Sequence, residues 1–267
     1  MPWVKNNWER SLPILAERGY IIPAIDTDTV DYLSCAIQLA KSIRQWHPDA
    51  DISVLTVKRC SDPVFDHVIP LPHGDFGGFA NDWQVFHASP YRQTIKLEAD
   101  MICASPIDHW WTLFERRDVV VSQGCRTFYN EPATARYYRK VFDENSLPDV
   151  YNAITYWRLS QTAQEFFDLV KNIFENWPDF KKLLRFSEDE PSTDVVYAMA
   201  AVILGPEQVT LPLGLGPTIV HMKRYINSLQ GEDWTQELVW ETDPFRINTI
   251  AQSGLVHYHV KEWNYYE

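Results

Sequence analysis

Tyr91-Arg92-Gln93-Thr94-Ile95-Lys96-Leu97-Glu98-Ala99-Asp100-Met101-Ile102 alternates apolar and polar residues from Arg92 to Leu97 and carries the β-branched pair Thr94-Ile95. That pattern predicts a strand. Glu98 and Asp100 follow where the strand should end. Residues two apart on an extended chain point the same way, so both carboxylates can aim at one point beyond the sheet edge. Two like charges that close repel unless something positive lies between them. A divalent cation with oxygen ligands and an open side is the simplest such partner, and it suits a bound diphosphate. The plain alternative is a solvated acidic pair, because a short motif by itself is only a hypothesis.

Working outward, Gly19-Tyr20-Ile21-Ile22-Pro23-Ala24-Ile25 is an apolar run opened by glycine and predicts a buried strand. Asp26-Thr27-Asp28-Thr29 can cap a helix, and from Asp31 to Trp46 the apolar residues Leu33, Ala36, Ile37, Ala40 and Ile43 fall at helical steps. Pro48 ends that helix and Asp51 to Val57 is a second strand. Strand, helix and strand make a βαβ unit with parallel strands. Val68 to Leu71 predicts a short third strand, His73 to Phe79 a glycine-rich loop, and Asn81 to Ala88 a short helix. The glycine-rich loop matches neither the phosphate-loop nor the dinucleotide fingerprint.

Past the acidic pair, Asp108 to Phe114 predicts a helical turn and Asp118 to Ser122 a strand, with a loop from Gln123 to Pro132. Tyr151 to Trp157 is a further strand, and Ser160 caps a long helix to Trp177, with Pro178 following. Lys181 to Glu190 is charged and loop-like. Thr193 to Leu204 is apolar except for Asp194 and predicts a buried helix ended by Gly205-Pro206. Short strands are expected near Val209–Leu211 and Ile219–His221, low regularity from Gly231 to Gly254, and a last strand from Leu255 to Val260. The chain has no internal repeat or low-complexity segment.

Composition narrows the class. With 267 residues and 45% apolar content, the chain supports one large core. Its 11 Trp, 13 Tyr and 13 Phe suit stacking on sugars or bases as well as filling that core. A net charge of −12 gives no overall field favouring nucleic acid or an anionic membrane. Cys35, Cys60, Cys103 and Cys125 are widely spaced and read as reduced thiols. Met1 to Arg10 does not look like a signal peptide, and no apolar run approaches the roughly 20 residues that span a bilayer. The expectation is a cytoplasmic protein with no membrane partner.

The alternation of strands and helices, ending in a strand with paired acids, resembles the GT-A class of nucleotide-sugar glycosyltransferases, especially the retaining galactosyltransferase and glycogenin type. Ala24-Ile25-Asp26, with Tyr32 downstream, resembles the segment that holds the nucleotide base. Leu97-Glu98-Ala99-Asp100 resembles the D-x-D metal motif. Tyr151-Asn152-Ala153 resembles the F-N-A-G strand that lines the donor sugar. Val256-His257-Tyr258, with Lys261 and Trp263, resembles the late segment whose His completes the metal site and whose Lys meets the diphosphate. Glu98 stands where Asp is usual, Ile154 replaces a Gly, and Lys-Glu-Trp replaces Lys-Pro-Trp.

The resemblance implies an α/β, Rossmann-like single domain whose mixed sheet is flanked by helices. Residues 1–18 would be an N-terminal extension and 19–267 the catalytic domain, divided into a nucleotide-binding half (19–125) and a donor-sugar and acceptor half (126–267). It implies Mn²⁺ or Mg²⁺ held by Glu98, Asp100 and His257. The donor would be a nucleotide-diphosphate sugar, a UDP-sugar first of all, bound by Ala24, Ile25, Asp26, Tyr32 and Lys261. The acceptor would be a hydroxyl whose bearer the resemblance does not name, a saccharide or, as the alternative, a modified DNA base.

The residues add their own weight to some of these roles. His257 and His259 are two apart, and imidazole is a good ligand for Mn²⁺ beside carboxylates; His221 sits in a similar Ile-Val-His setting. Asp194 is a lone acid in an apolar helix and is the candidate carboxylate beside the sugar, or a helix cap; Asp189 and Glu188 are its alternatives. Asn152 is expected to hold a sugar hydroxyl.

Arg126, Arg136, Arg139 and Lys140 among Tyr137 and Tyr138 form the best basic-aromatic patch, which would suit a modified DNA base as acceptor, or a solvated helix face. A sugar nucleotidyltransferase is disfavoured, because the place after the first strand is acidic and lacks glycine. A non-catalytic sugar- or nucleotide-binding module is the third reading.

Overall fold

The computed structural model describes residues 13–71, 81–186, 189–212 and 214–260. The loop from His73 to Phe79, Glu188, Lys261, Trp263 and the aromatic tail lie outside the described residues.

The first strand, β1 (Ala16–Pro23), starts inside the expected extension, so residues 16–18 belong to the sheet. It is followed by α1 (Tyr32–Trp46), β2 (Ile52–Leu55) and β3 (His67–Ile69). Next come α2 (Gln84–Ala88), β4 (Tyr91–Leu97) and β5 (Met101–Cys103). After α3 (His109–Phe114), β6 (Val119–Gln123), β7 (Cys125–Arg126) and α4 (Lys140–Glu144), the long strand β8 (Val150–Arg158) returns through the centre. The helices α5 (Gln161–Glu175), α6 (Trp177–Leu183), α7 (Thr193–Leu204) and α8 (Pro206–Val209) follow. The chain closes with β9 (Ile219–His221), β10 (Trp240–Thr242), β11 (Phe245–Ile247), β12 (Ile250–Ala251) and β13 (Leu255–His257).

Six strands form the main sheet in the order β3-β2-β1-β4-β8-β6. From β3 to β4 neighbours run parallel, and β8 runs antiparallel to both β4 and β6. This is the mixed α/β sheet expected. Its two faces are buried by different elements. Tyr20, Ile22, Ile95 and Leu97 pack with α1 and the second sheet. Ile21, Leu55, Val121 and Trp157 pack with α2, α5 and α7. The strict alternation of Tyr20, Ile21 and Ile22 between the two cores is what a strand buried on both sides requires. A second sheet runs β5-β13-β9-β7, and β10-β11-β12 form a small antiparallel sheet. The dividing line drawn at residue 125 falls within β7, and the second sheet draws strands from both halves of the chain.

Local sequence explains most boundaries. Asp31 caps α1 by accepting from the Ser34 N–H, Ser160 caps α5 through Ala163, and Ser192 caps α7 through Val195. Gly205, at φ 107°, ends α7. Several expectations need correction. Pro178 does not end the helical region: it lies in the first turn of α6, where its missing N–H costs nothing, so Lys181 to Leu183 are helical. The region around Val209 forms the short helix α8, since Pro206 starts a turn rather than a strand. The loop from Gln123 contains β7, and the low-regularity stretch contains β10 to β12, whose two- and three-residue strands are too short for alternation to reveal. Among the described residues no helix is long and apolar enough to cross a membrane.

Candidate functional site

Strand order sets where a site can form. From β1 the chain goes to β2 and β3 on one side, and later to β4 on the other, so the order reverses between β1 and β4. In open α/β sheets the crevice at such a reversal, beyond the carboxyl ends of the strands, is where ligands bind. The carboxyl end of β1 delivers Ala24, Ile25 and Asp26, and that of β4 delivers Glu98 and Asp100.

The acidic pair does not converge through the pleat of an extended strand. β4 ends at Leu97, and Glu98 to Asp100 form a bend leading into β5. Convergence comes instead from β13, which lies between β5 and β9 in the second sheet. His257 pairs with Met101 across β5 and stands beside His221 of β9. The Tyr258 N–H donates to the Asp100 carbonyl at 3.1 Å, and the Met222 N–H to the His257 carbonyl at 2.9 Å. This backbone lattice sets the His257 Nε2 atom 3.1 Å from Asp100 Oδ2 and 3.6 Å from Glu98 Oε2. One donor atom from each of Glu98, Asp100 and His257 lies within 4.8 Å of the others. Asp100 is buried, and Glu98 is half-buried. Burial raises the Glu98 pKa, the Asp100 charge adds to the rise, and His257 and Lys96 oppose it. A cation among these donors would reverse that balance and hold the carboxylates ionised. Two carboxylates and an imidazole around one point fit Mn²⁺ well, and Mg²⁺ less well because of the nitrogen donor.

Tyr32, in the first turn of α1, reaches the same region. Its phenol is pushed up to about 12 by burial and by the charges of Asp100 and Glu98. Asp26 Oδ1 accepts the Leu33 N–H at 3.1 Å, tying the end of β1 to the first turn of α1, and its other oxygen pairs with Lys58. Ala24 is buried, and its N–H bonds the Leu55 carbonyl at 2.8 Å. Ile25, Asp26, Thr56, Lys58, Arg59 and Leu71 line a cleft of about 1090 Å³ at the carboxyl ends of β1 to β3.

Asp194 and Asn152 occupy one connected polar cluster. Asp194 Oδ2 accepts from the Arg139 guanidinium and Oδ1 from the Asn152 backbone N–H, each at 2.8 Å. The Asn152 side chain is fully buried; its amide donates to Asp82 at 3.1 Å and accepts from the Thr155 hydroxyl at 2.8 Å. Asp82 also accepts from the Tyr197 hydroxyl, and it lies 3.6 Å from the buried Lys96 ammonium. Lys96 donates to the Asn152 carbonyl at 2.9 Å. In this structure both ends of the Asn152 amide serve protein partners, so a bond to a sugar hydroxyl would require one of them to yield.

Sequence reasoning missed Lys96, Asp82 and Tyr197 as one network, because their meeting is set by β4, β8 and α7 packing across the sheet. It also missed Lys223, whose ammonium lies 4.9 Å from the Tyr138 ring centre and close enough to Asp194 and Glu98 to feel both charges. Burial nonetheless lowers the Lys223 pKa.

The basic-aromatic patch takes a different form from that expected. Arg139 is buried against Asp149 and Asp194 and stacks over Phe142 and Tyr151. Arg136 pairs with Asp143 and Asp149, and Arg126 is turned onto the Ser253 carbonyl. Lys140 stays exposed. Two of the four cations are therefore paired with carboxylates.

No protein-family model matches this sequence, and no curated protein matches it. Solved structures do match its fold. An active-site mutant of LgtC aligns with a TM-score of 0.54 at 13% identity, over 90% of this chain and 86% of that one. The galactosyltransferase LgtC in complex with donor and acceptor sugar analogues aligns with a TM-score of 0.53 at 12% identity, over the same 90% and 86%. Mouse xyloside xylosyltransferase 1 aligns with a TM-score of 0.52 at 8% identity, over 92% of this chain and 98% of that one. At these identities the shared property is the fold, and it is the GT-A glycosyltransferase fold.

Proposed function

We propose that this protein is a metal-dependent glycosyltransferase that moves a sugar from a nucleotide-diphosphate sugar to a saccharide hydroxyl. The observation that carries the reading is the convergence of Glu98, Asp100 and His257 at the crevice between β1 and β4, with Tyr32 alongside. Those three residues would hold Mn²⁺ in preference to Mg²⁺. When bound, the ion would neutralise charge developing on the departing diphosphate. The cleft beside Ile25 and Asp26 would take the nucleoside, a uridine in the first donor to test. Lys261 stays a proposed diphosphate contact, and Lys223 is a second cation that feels the Glu98 charge. Asp194 and Asn152 act in this reading as positioning residues: Asp194 fixes the strand backbone at Asn152, and Asn152 joins that strand to Asp82. Their rigidity keeps the sugar-facing surface of β8 in one geometry.

The test is a thermal-shift screen of nucleoside diphosphates and nucleotide sugars with and without Mn²⁺. A ligand that binds only the native state raises the melting temperature by mass action. The expected result is a rise of several degrees that needs both Mn²⁺ and one nucleotide, is lost in Asp100→Asn, and is followed by sugar transfer once an acceptor is supplied. A rise that ignores metal, or that persists in Asp100→Asn, overturns the metal assignment. Binding without turnover of the donor, even by water, would point to a sugar-nucleotide-binding module instead.

A further inference from the structure

His221 and His259 remain once Glu98, Asp100 and His257 are given to a diphosphate-bound cation, and they are not scattered. His221 stands opposite His257 in the parallel register of β9 and β13, and His259 follows two residues later. The three ring centres are 4.9, 4.8 and 5.1 Å apart. One ligand nitrogen from each ring lies within 4.8 Å of the others. His259 Nε2 and His221 Nδ1 are separated by 3.4 Å. Two imidazole nitrogens, each about 2.0–2.1 Å from a tetrahedral zinc-sized ion, stand about 3.4 Å apart. One edge of such a site is therefore already in place. The same distance serves a hydrogen bond between the two rings, but that bond does not call for a third imidazole closing the triangle.

We propose that His221, His257 and His259 form a second divalent-cation site, selective for an imidazole-seeking ion of the Zn²⁺ or Co²⁺ class, that shares His257 with the carboxylate site. Three nitrogen donors suit these ions far better than Mg²⁺ or Ca²⁺. A neutral imidazole keeps a proton on one nitrogen and offers one lone pair, so the His257 ring serves one ion at a time. Zinc at the three histidines would withdraw His257 from Glu98 and Asp100. The three-histidine site stands on its own geometry; only the competition rests on the proposed donor site.

The experiment titrates the metal-free full-length protein with Co²⁺ in the absence of nucleotide and follows the visible absorption of tetrahedral cobalt. The expected result is a band displaced by Zn²⁺. His259→Ala should weaken Co²⁺ by more than the roughly 10- to 100-fold that loss of an outer-shell partner costs. Glu98→Gln, which removes an outer-shell carboxylate 3.6 Å from the His257 ring rather than a ligand, should weaken Co²⁺ by no more than that roughly 10- to 100-fold and keep the tetrahedral band. His221 is buried, so the half-buried His259 carries the test, with the melting curve of His259→Ala confirming that it folds. No cobalt band, or a band lost in Glu98→Gln and kept in His259→Ala, overturns the proposal. One equivalent of Zn²⁺ should also abolish the Mn²⁺-dependent nucleotide shift, and additive shifts would overturn the sharing of His257. A failed donor site would remove the nucleotide shift and keep the cobalt band; a failed three-histidine site would do the reverse.

Discussion

At the scale of single residues, Asp194 holds the Arg139 guanidinium with one oxygen and the Asn152 N–H with the other. Removing it leaves a buried cation with one carboxylate fewer and a buried N–H without its acceptor. Asp194→Ala should therefore cost about 2 kcal/mol of stability, the usual worth of charged hydrogen bonds, measured as a lower urea midpoint. A side chain that only met substrate would leave that midpoint unchanged. His47 gives a pH-dependent prediction. Its Nε2 accepts the Ile107 N–H at 3.0 Å, and burial lowers its pKa. The unfolded chain binds a proton at His47 near pH 6.5 and the folded chain only at lower pH. The stability His47 contributes is therefore full above about pH 6.5 and is lost as pH falls through the folded value. Melting temperature should fall between pH 7 and pH 5. His47→Gln, which can accept the same N–H, should flatten the fall; an unchanged slope would remove His47 as its cause. Asp194 was legible in the sequence as a lone acid on an apolar helix, and Glu98, Asp100 and His257 as ligand types at suggestive places. Arg139 was read as part of a charged surface because its partners, Asp149 and Asp194, come from β8's approach and from α7, and no local pattern announces such a meeting.

At the scale of elements, β1, β2 and β8 were legible as short, largely apolar runs because they are buried on both faces, and α1, α5 and α7 because caps and apolar steps coincided. What escaped was short or context-made: β7, the three strands β10 to β12, and the helix that Pro178 begins. The packing of β1 on β4 yields a sharper test. A Cβ on Gly19 would stand 2.4 Å from the Tyr91 ring. That ring cannot easily retreat, because its hydroxyl is fixed by Ser53 at 2.6 Å and Asp51 at 2.8 Å. Gly19→Ala should cost about 1–3 kcal/mol, the range for overpacking a filled core. Tyr91→Leu in the same chain should recover part of it. Denaturant midpoints of the two single variants and the double would show the coupling, and strict additivity would mean the clash is absorbed elsewhere.

At the scale of the molecule, a net charge of −12 and the pairing of Arg136 and Arg139 with carboxylates leave little to attract a polyanion. The protein should pass through a duplex-DNA column unretained even at low ionic strength, where phosphate contacts are strongest. Retention that weakens with salt would revive the DNA acceptor. The same view gives the bend between β4 and β5 a further meaning. β4 belongs to the larger sheet and β5 to the smaller, and only Glu98, Ala99 and Asp100 lie between them. His257 meets that bend from 157 residues further along the chain. An ion gripping all three side chains would close a loop of that length and clasp the carboxy-terminal strand to the middle of the chain. Opening so long a loop releases conformational freedom to the unfolded state that the bound ion denies it. Chelation would then loosen the seam between the two sheets with no nucleotide present, so an ion bound there would also be a fastener of the fold around it.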